Sequence, residues 1–535
     1  MSYRKFITEA YNNVAKYGTT DVDLFGDFFE LKLLTKDEVK KEVIDLIDNA
    51  LTKKADGSYD FKQLKMKKIG SVLVPKKAFF AFRKCALIDF VDEVMFLSIV
   101  LIMAPVIEKN RINKSEKVVF SYRYKPHKSL LFDDKYNFTS FRKHISKKSK
   151  SPRVNVVVET DISNFYDRLN LHRLESNLLS LSGIDKELVK LLNEILLFWS
   201  NRDSYGLPVG SNGSRILAES LLSEVDDFLM SNGIDFCRFV DDYRIFAKDA
   251  YTAQKHLSLL VQKLNDVGLF INTNKTNVRE PIKDVKTKSK DSKVEKTIFD
   301  EHQFGVPNVI RGYSGLIPTK FRKLTKNEIT KYATYDIKEK IKEMTTAILV
   351  KPNDIIELSK AIVANSMFDN LHDLVIIVKK FPQFLPYITD VLIKNERDIS
   401  DGVVMSIKSV LGDWMKQEEL LEYTHVYLTR LFSSGRFTNT DLILSSFKNL
   451  KRNSGVYVGR AYLDGLKETL FRNDVIELKK YYERADIWEK RQILRLVNIN
   501  LETGEKRAFF KDVINNTNDV LVKHICSDKN LKLLK

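Results

Sequence analysis

Cysteine is scarce in this 535-residue chain: only Cys85, Cys237 and Cys526, far apart from one another. No CxxC pairing marks a structural zinc and no disulfide framework is present, so a reducing cytoplasm is the expected compartment. No secretory leader is expected either, because Met1 to Ala15 is polar and charged with no apolar core. The longest apolar run, Val94 to Ile107, is broken only by Ser98, contains Pro105 and is too short to span a bilayer. It is expected to be a buried helix, and no membrane is expected as a partner.

Positive charge is what the chain has in excess. With 88 Lys and Arg against 71 Asp and Glu, the net charge is +17, which favours a polyanionic partner. Nucleic acid leads and an anionic membrane surface follows, although a basic surface is also a usual solubility device. A hydrophobic content of 44% supports ordinary cores in two or three domains.

Two acidic sites stand out. Phe236-Cys237-Arg238-Phe239-Val240-Asp241-Asp242-Tyr243-Arg244-Ile245-Phe246 reads as a tight hairpin carrying two carboxylates at its tip. Adjacent like charges repel, and a hard divalent cation opposite them would relieve the repulsion; a solvent-facing Asp-Asp turn is the plain alternative. The β-branched run Val154 to Asp161 puts a third carboxylate at a strand end. Two-metal phosphoryl transfer needs carboxylates from separate elements, and Asp161, Asp241 and Asp242 supply such a set.

These residues carry a resemblance. Asp161 with Tyr166 five positions on, then Gly206-Leu207-Pro208-Val209-Gly210, then Phe239-Val240-Asp241-Asp242, then Lys275 in Gly268 to Thr276, resembles the motif order of the reverse transcriptases. The resemblance covers roughly Pro75 to Tyr313. It implies right-hand polymerase fingers and palm; together with the helical segments read further along the chain, the expected fold is α+β, with fingers and palm followed by an all-α helical-repeat (HEAT-like) domain. It also implies two Mg2+ ions on Asp161, Asp241 and Asp242, with Lys275 binding or protonating the leaving group. Tyr166 is implied as the steric gate that rejects a 2′-hydroxyl, so deoxynucleoside triphosphates are the expected substrates. Pro208 and Gly210 belong to the implied nucleotide cleft. Many members have glutamine where this chain has Val209, and a valine side chain forms no hydrogen bond with a template.

Taken in order, residues 1–74 are expected to be helical with a loop at Asp56-Gly57-Ser58, residues 75–313 to be fingers and palm, and residues 314–535 to be helical. Val118 to Lys125 reads as a strand. Its Arg123 and Lys125 are candidates for neutralising the triphosphate, with a solvated basic edge as the alternative. Ile282 to Lys296, charged and poor in large apolar groups, reads as a surface loop. Beyond Gly315, Thr440 is expected to cap a helix carrying Ile443, Phe447 and Leu450. Similar units at Asp354 to Ala364, Leu371 to Lys380 and Val475 to Arg484 suggest stacked helical hairpins, with a single irregular bundle as the alternative.

The palm motifs combined with a long helical C-terminal part resemble the bacterial abortive-infection, or defence-associated, reverse transcriptases. That implies template-independent, protein-primed synthesis in anti-phage defence, a single-stranded DNA product attached to the protein, and a homo-oligomer. Tyr3, Tyr11, Tyr17, Tyr332, Tyr335, Tyr423 and Tyr457 are the candidate primers. The alternatives are a conventional enzyme copying a bound noncoding RNA, an RNA-dependent RNA polymerase, against which Tyr166 argues, and a non-catalytic scaffold.

Overall fold

The computed structural model describes residues 3–19, 28–76, 82–281, 319–417, 420–450, 455–466 and 470–535. The charged stretch from Ile282 to Lys296 and the boundary expected near Gly312 lie outside the described residues. The strands are β1 (Gly70–Pro75), β2 (Phe82–Leu87), β3 (Tyr124–His127), β4 (Leu130–Phe132), β5 (Val156–Asp161), β6 (Phe236–Phe239), β7 (Asp242–Ala247) and β8 (Asn277–Arg279). Two compact units divide the chain. Unit 1 takes residues 1–21, 40–69 and 88–312, and unit 2 takes 22–39, 70–87 and 313–535.

In unit 1 the central element is an antiparallel sheet in the order β6-β7-β5-β8. β5 is an inner strand, paired with β7 and β8; its Val157 and Val158 are buried while Glu159 and Asp161 are only partly covered. Sheet and helices share a core in which Phe141, from the helix Phe138–Ser149, packs with Phe120, Val154, Val157, Cys237 and Phe246. The apolar run forms the helix Phe90–Lys109, apolar on all sides and buried within unit 1. Asp89 caps it by accepting from the Val91 amide, and the Ser98 hydroxyl donates to the Val94 carbonyl. The helix Arg4–Tyr17 packs along it.

The stretch 118–125 departs from the expected strand. Only Tyr124 onward is strand; Val118 and Val119 instead run parallel to Arg238, with the Phe120 amide donating to the Arg238 carbonyl at 3.0 Å. Tyr122 has φ +43, which breaks the extended run.

In unit 2, β1 and β2 pair with each other, and the other regular elements among the described residues are helices. The helices Leu385–Lys394, Glu422–Phe432, Val456–Gly465, Ile487–Asn500 and Val520–Ile525 pack one on the next in that order. Asn439, not Thr440, caps the helix Thr440–Lys448, accepting from the Leu442 amide at 3.2 Å. Asn439 sits one residue before the first helical position, where its side-chain carbonyl oxygen meets the free amides.

Candidate active site

The acidic hairpin forms as its sequence suggests. Phe239 pairs with Asp242, which leaves Val240-Asp241 as a two-residue turn. Val240 has φ +57, a region a β-branched side chain occupies only when its surroundings impose it. Here the surroundings do. The Val240 amide donates to Ser121 Oγ at 2.9 Å, and Arg238 Nη1 donates to the Val240 carbonyl at 3.2 Å.

Arg238 is itself fully buried and makes a two-pronged contact with Asp226, Nε to Oδ1 at 2.7 Å and Nη2 to Oδ2 at 2.6 Å. Its Nη2 also lies 2.9 Å from Glu219, which Arg111 and the Ser121 hydroxyl bind from the other side. Burial pushes the Glu219 carboxyl up, but Arg238 and Arg111 outweigh it and hold it below its ordinary range. For Asp226 burial wins, and its carboxyl is raised despite Arg238. A buried network of two guanidiniums and two carboxylates thus holds the strained turn.

The third carboxylate comes from β5. Asp161 stands directly opposite Asp242 in the β5–β7 ladder, and the Ile162 amide donates to the Asp241 carbonyl at 3.1 Å. Residues opposite each other in an antiparallel pair lie roughly 5 Å apart and face the same side. Asp161 and Asp242 therefore share one face at one edge of the ladder. Asp161 Oδ1 is buried without a hydrogen-bond partner, while Oδ2 lies 2.5 Å from Lys275 Nζ. Burial raises the Asp242 carboxyl; Arg244, with Nη1 2.8 Å from Asp242 Oδ1, opposes the rise, and Asp161 and Glu159 add to it. An unpartnered buried oxygen and two mutually repelling carboxyls are a donor set that fits a hard cation. The side chains do not yet converge as three ligands: among the described residues no group of three His, Cys, Asp or Glu side chains is arranged to hold an ion.

Tyr166 follows β5 in the short helix Phe165–Arg168, and its carbonyl accepts from the Leu207 amide at 2.9 Å. The Gly206 amide donates to the Leu169 carbonyl, so the 206–210 loop lies along the turn that bears Tyr166. Gly206 at φ +95 and Gly210 at φ +114 bend it there, in backbone regions that favour glycine. Pro208 and Val209 are buried beneath the loop, and Gly210 is partly exposed. Ser211, the next residue, caps the helix Asn212–Ser231 and donates to the buried Glu93 Oε1 at 2.7 Å.

The two basic candidates separate. Arg123 is 2% exposed, with Nε 2.8 Å from Glu108 Oε1 and Nη2 donating to the Ile112 carbonyl. It is buried in the scaffold, because Glu108 at the end of the apolar helix draws it inward. Lys125 is exposed, 3.8 Å from Asp133. Residues 111, 121, 219, 226 and 238, and the charged row of Glu159, Arg244 and Arg279, were not apparent from the motifs. One sign was available: Arg238 interrupts an otherwise apolar strand, Phe236 to Phe239, and a buried arginine requires buried carboxylates.

Residues 107–299 match the family model described as reverse transcriptase (RNA-dependent DNA polymerase). This part of the chain is a reverse-transcriptase domain. It contains Asp161, the Val240-Asp241 turn and Lys275, so the resemblance seen in the motifs holds at the level of the domain. No curated protein matches the chain. Among solved structures, the chain is similar to telomerase from Candida albicans in complex with a TWJ fragment of telomeric RNA. That match has 16% identity and TM-score 0.28, covering 72% of this chain and 67% of that one. Apo telomerase from Candida tropicalis gives 12% identity and TM-score 0.29, covering 73% of each chain. Scores this low add nothing to the reading of the reverse-transcriptase domain.

Proposed function

We propose that the chain is a DNA polymerase of the reverse-transcriptase family that adds deoxynucleotides to a hydroxyl by two-metal phosphoryl transfer. The observation that carries this is the Asp161–Asp242 pair on two adjoining strands, with Asp241 next to it in the clamped turn. Two magnesium ions held by Asp161, Asp241 and Asp242 would lower the pKa of the attacking hydroxyl and neutralise the leaving pyrophosphate. The remaining work belongs to the chain's own side chains. Lys275, exposed beside Asp161, binds the leaving phosphate, and Lys125 is the fingers residue free to meet the triphosphate. Tyr166, tied through its carbonyl to the 206–210 loop, excludes a 2′-hydroxyl.

The resemblance to defence-associated enzymes extends this to template-independent, protein-primed synthesis by a cytoplasmic homo-oligomer during abortive infection. Val209 supports it, since a buried valine holds no template base by hydrogen bonds. Burial also narrows the primer. Tyr11, Tyr332, Tyr423 and Tyr457 are buried, the Tyr3 hydroxyl bonds Tyr59 and Asp185, and Tyr335 is half-buried, whereas Tyr17 is 39% exposed. We assign Tyr17 as the nucleophile.

The test is incorporation of each deoxynucleotide and ribonucleotide by purified protein with Mg2+, with and without added RNA template. Deoxynucleotides are expected to be preferred over ribonucleotides, and Asp242→Asn to slow incorporation by about 100- to 1,000-fold, as removal of a transition-state charge contact does. Product released by protease but not by denaturant supports protein priming, and loss of that linkage in Tyr17→Phe supports the assigned residue. Preference for ribonucleotides would overturn the reading, and synthesis only on added RNA would replace template independence with templated copying.

A further inference from the structure

The face of the sheet that bears Asp161 and Asp242 also bears a matching set of cations. Lys275 Nζ lies 2.5 Å from Asp161, and Arg244 Nη1 lies 2.8 Å from Asp242. Arg279 contacts Glu159 Oε1 through Nη2 at 2.7 Å and Nε at 3.0 Å. Three carboxylates thus meet three basic side chains within one patch. The pattern follows from the pleat: Glu159 and Asp161 on β5, and Asp242 and Arg244 on β7, alternate onto one face, and the register puts Glu159 directly opposite Arg244.

Lys275 and Arg244 differ in how they can yield to an ion. Lys275 sits on a surface turn, with its side chain 65% exposed, and can swing into solvent. Arg244 cannot. It is anchored on β7, its side chain only 17% exposed, its guanidinium 5.9 Å from the Phe141 ring centroid, and Nη1 also donates to the Tyr243 carbonyl. It has one nearby alternative, since its Nε is already 3.6 Å from Glu159 Oε1. A small rotation about the terminal bonds exchanges Asp242 for Glu159 without exposing the charge.

We propose that Arg244 is a positioning residue that governs how tightly the site takes divalent ions, neutralising Asp242 itself and moving to Glu159 when an ion enters. This rests on the polymerase reading above and deepens it. An incoming ion competes with Arg244 for Asp242, so ion affinity is held down by the guanidinium. Glu159 is the residue that makes the exchange possible, and Arg279 keeps Glu159 in place on the sheet.

The experiment is Mn2+ binding by the full chain, without nucleotide, read by calorimetry and by electron paramagnetic resonance, alongside thermal unfolding in EDTA and in Mg2+. Arg244→Gln is expected to bind Mn2+ at least tenfold more tightly than the parent protein, and Arg244→Lys to stay within threefold of the parent. In EDTA, Arg244→Gln should melt earlier than the parent, because Asp242 then faces Asp161 without its own cation, and Mg2+ should restore most of the loss. Glu159→Gln removes the fallback position and should weaken Mn2+ binding severalfold. A merely structural Arg244 would lower stability in EDTA and Mg2+ alike and leave ion affinity unchanged. Equal affinity in parent and Arg244→Gln, abolished in each by Asp242→Asn, would overturn the role of Arg244 while leaving the ion site intact. Absence of any Mn2+ binding that depends on Asp161 or Asp242 would overturn both.

Discussion

At the scale of the residue, Glu93 is a carboxyl held in an apolar setting. It lies inside the apolar helix Phe90–Lys109, 2% exposed, with Oε1 accepting from the Ser211 hydroxyl and Oε2 without a hydrogen-bond partner. Burial pushes its carboxyl up to about 8; the Ser211 hydrogen bond and the Arg215 guanidinium pull the other way without prevailing. Asp89 and Asp92 sit on the same helix end and are themselves engaged, Asp89 by Lys67 and Asp92 by the Lys67 amide. With its folded pKa above the ordinary 4.5, Glu93 binds a proton in the folded state over a range where the unfolded chain has released it. The stability it contributes is complete below about pH 4.5 and is lost as pH rises through about 8. Glu93→Gln should therefore flatten the fall in urea midpoint between pH 6 and pH 9. It should also leave Ser211 capped, because the amide oxygen still accepts. An unchanged slope in Glu93→Gln would show that the carboxyl does not titrate there.

At the scale of an element, the hairpin β6–β7 illustrates what local sequence reveals and what it conceals. The turn, the Asp pair and the β-branched approach of β5 were readable because each depends on neighbours within a few residues. What holds the turn was not readable. Ser121 and Glu219 reach Val240 and Arg238 from other parts of the chain, and no local pattern records which distant carboxylate neutralises a strand arginine. The same reason misdirected Arg123, whose direction is set by Glu108 on the preceding helix. Arg238→Met tests the clamp. It leaves Asp226 buried with its main partner gone and frees the Val240 carbonyl, so the expected cost is about 3–5 kcal/mol in denaturant unfolding of unit 1. Arg238→Met combined with Asp226→Leu should recover a large share of that stability, since an apolar pair of similar volume replaces a buried ion pair at little cost. Polymerase activity should stay low in both, because neither restores the donor to Val240. Recovery of activity with stability would show that the turn does not need its clamp.

At the scale of the molecule, the chain does not divide in sequence order, since unit 2 is built from the C-terminal helices together with two segments from the first 90 residues. For the first of these segments the reason lies in a buried contact. Glu30, in the short helix Phe29–Leu33, meets Arg460 through Oε1 to Nη1 at 2.7 Å and Oε2 to Nη2 at 3.0 Å, 430 positions away and with neither side chain exposed. Phe29 lies near two guanidiniums, 4.9 Å from Arg460 and 4.7 Å from Arg495. Leu33 and Leu34 are buried beside it. Each such apolar side chain contributes roughly 1.5–3 kcal/mol when fully buried, and removing one member of a buried ion pair costs about 3–5 kcal/mol. Residues 28–34 are therefore an integral part of the C-terminal helical unit, which a fragment beginning at residue 314 lacks. That fragment should show helical circular dichroism without a cooperative melt. Co-expression with a fragment that supplies residues 1–90, which carries both early segments, should restore the melt, and Glu30→Ala in the full chain should expose unit 2 to limited proteolysis before unit 1. A cooperative transition of full-chain stability in the 314–535 fragment alone would mean that the Glu30–Arg460 contact is incidental to the folding of the C-terminal helices.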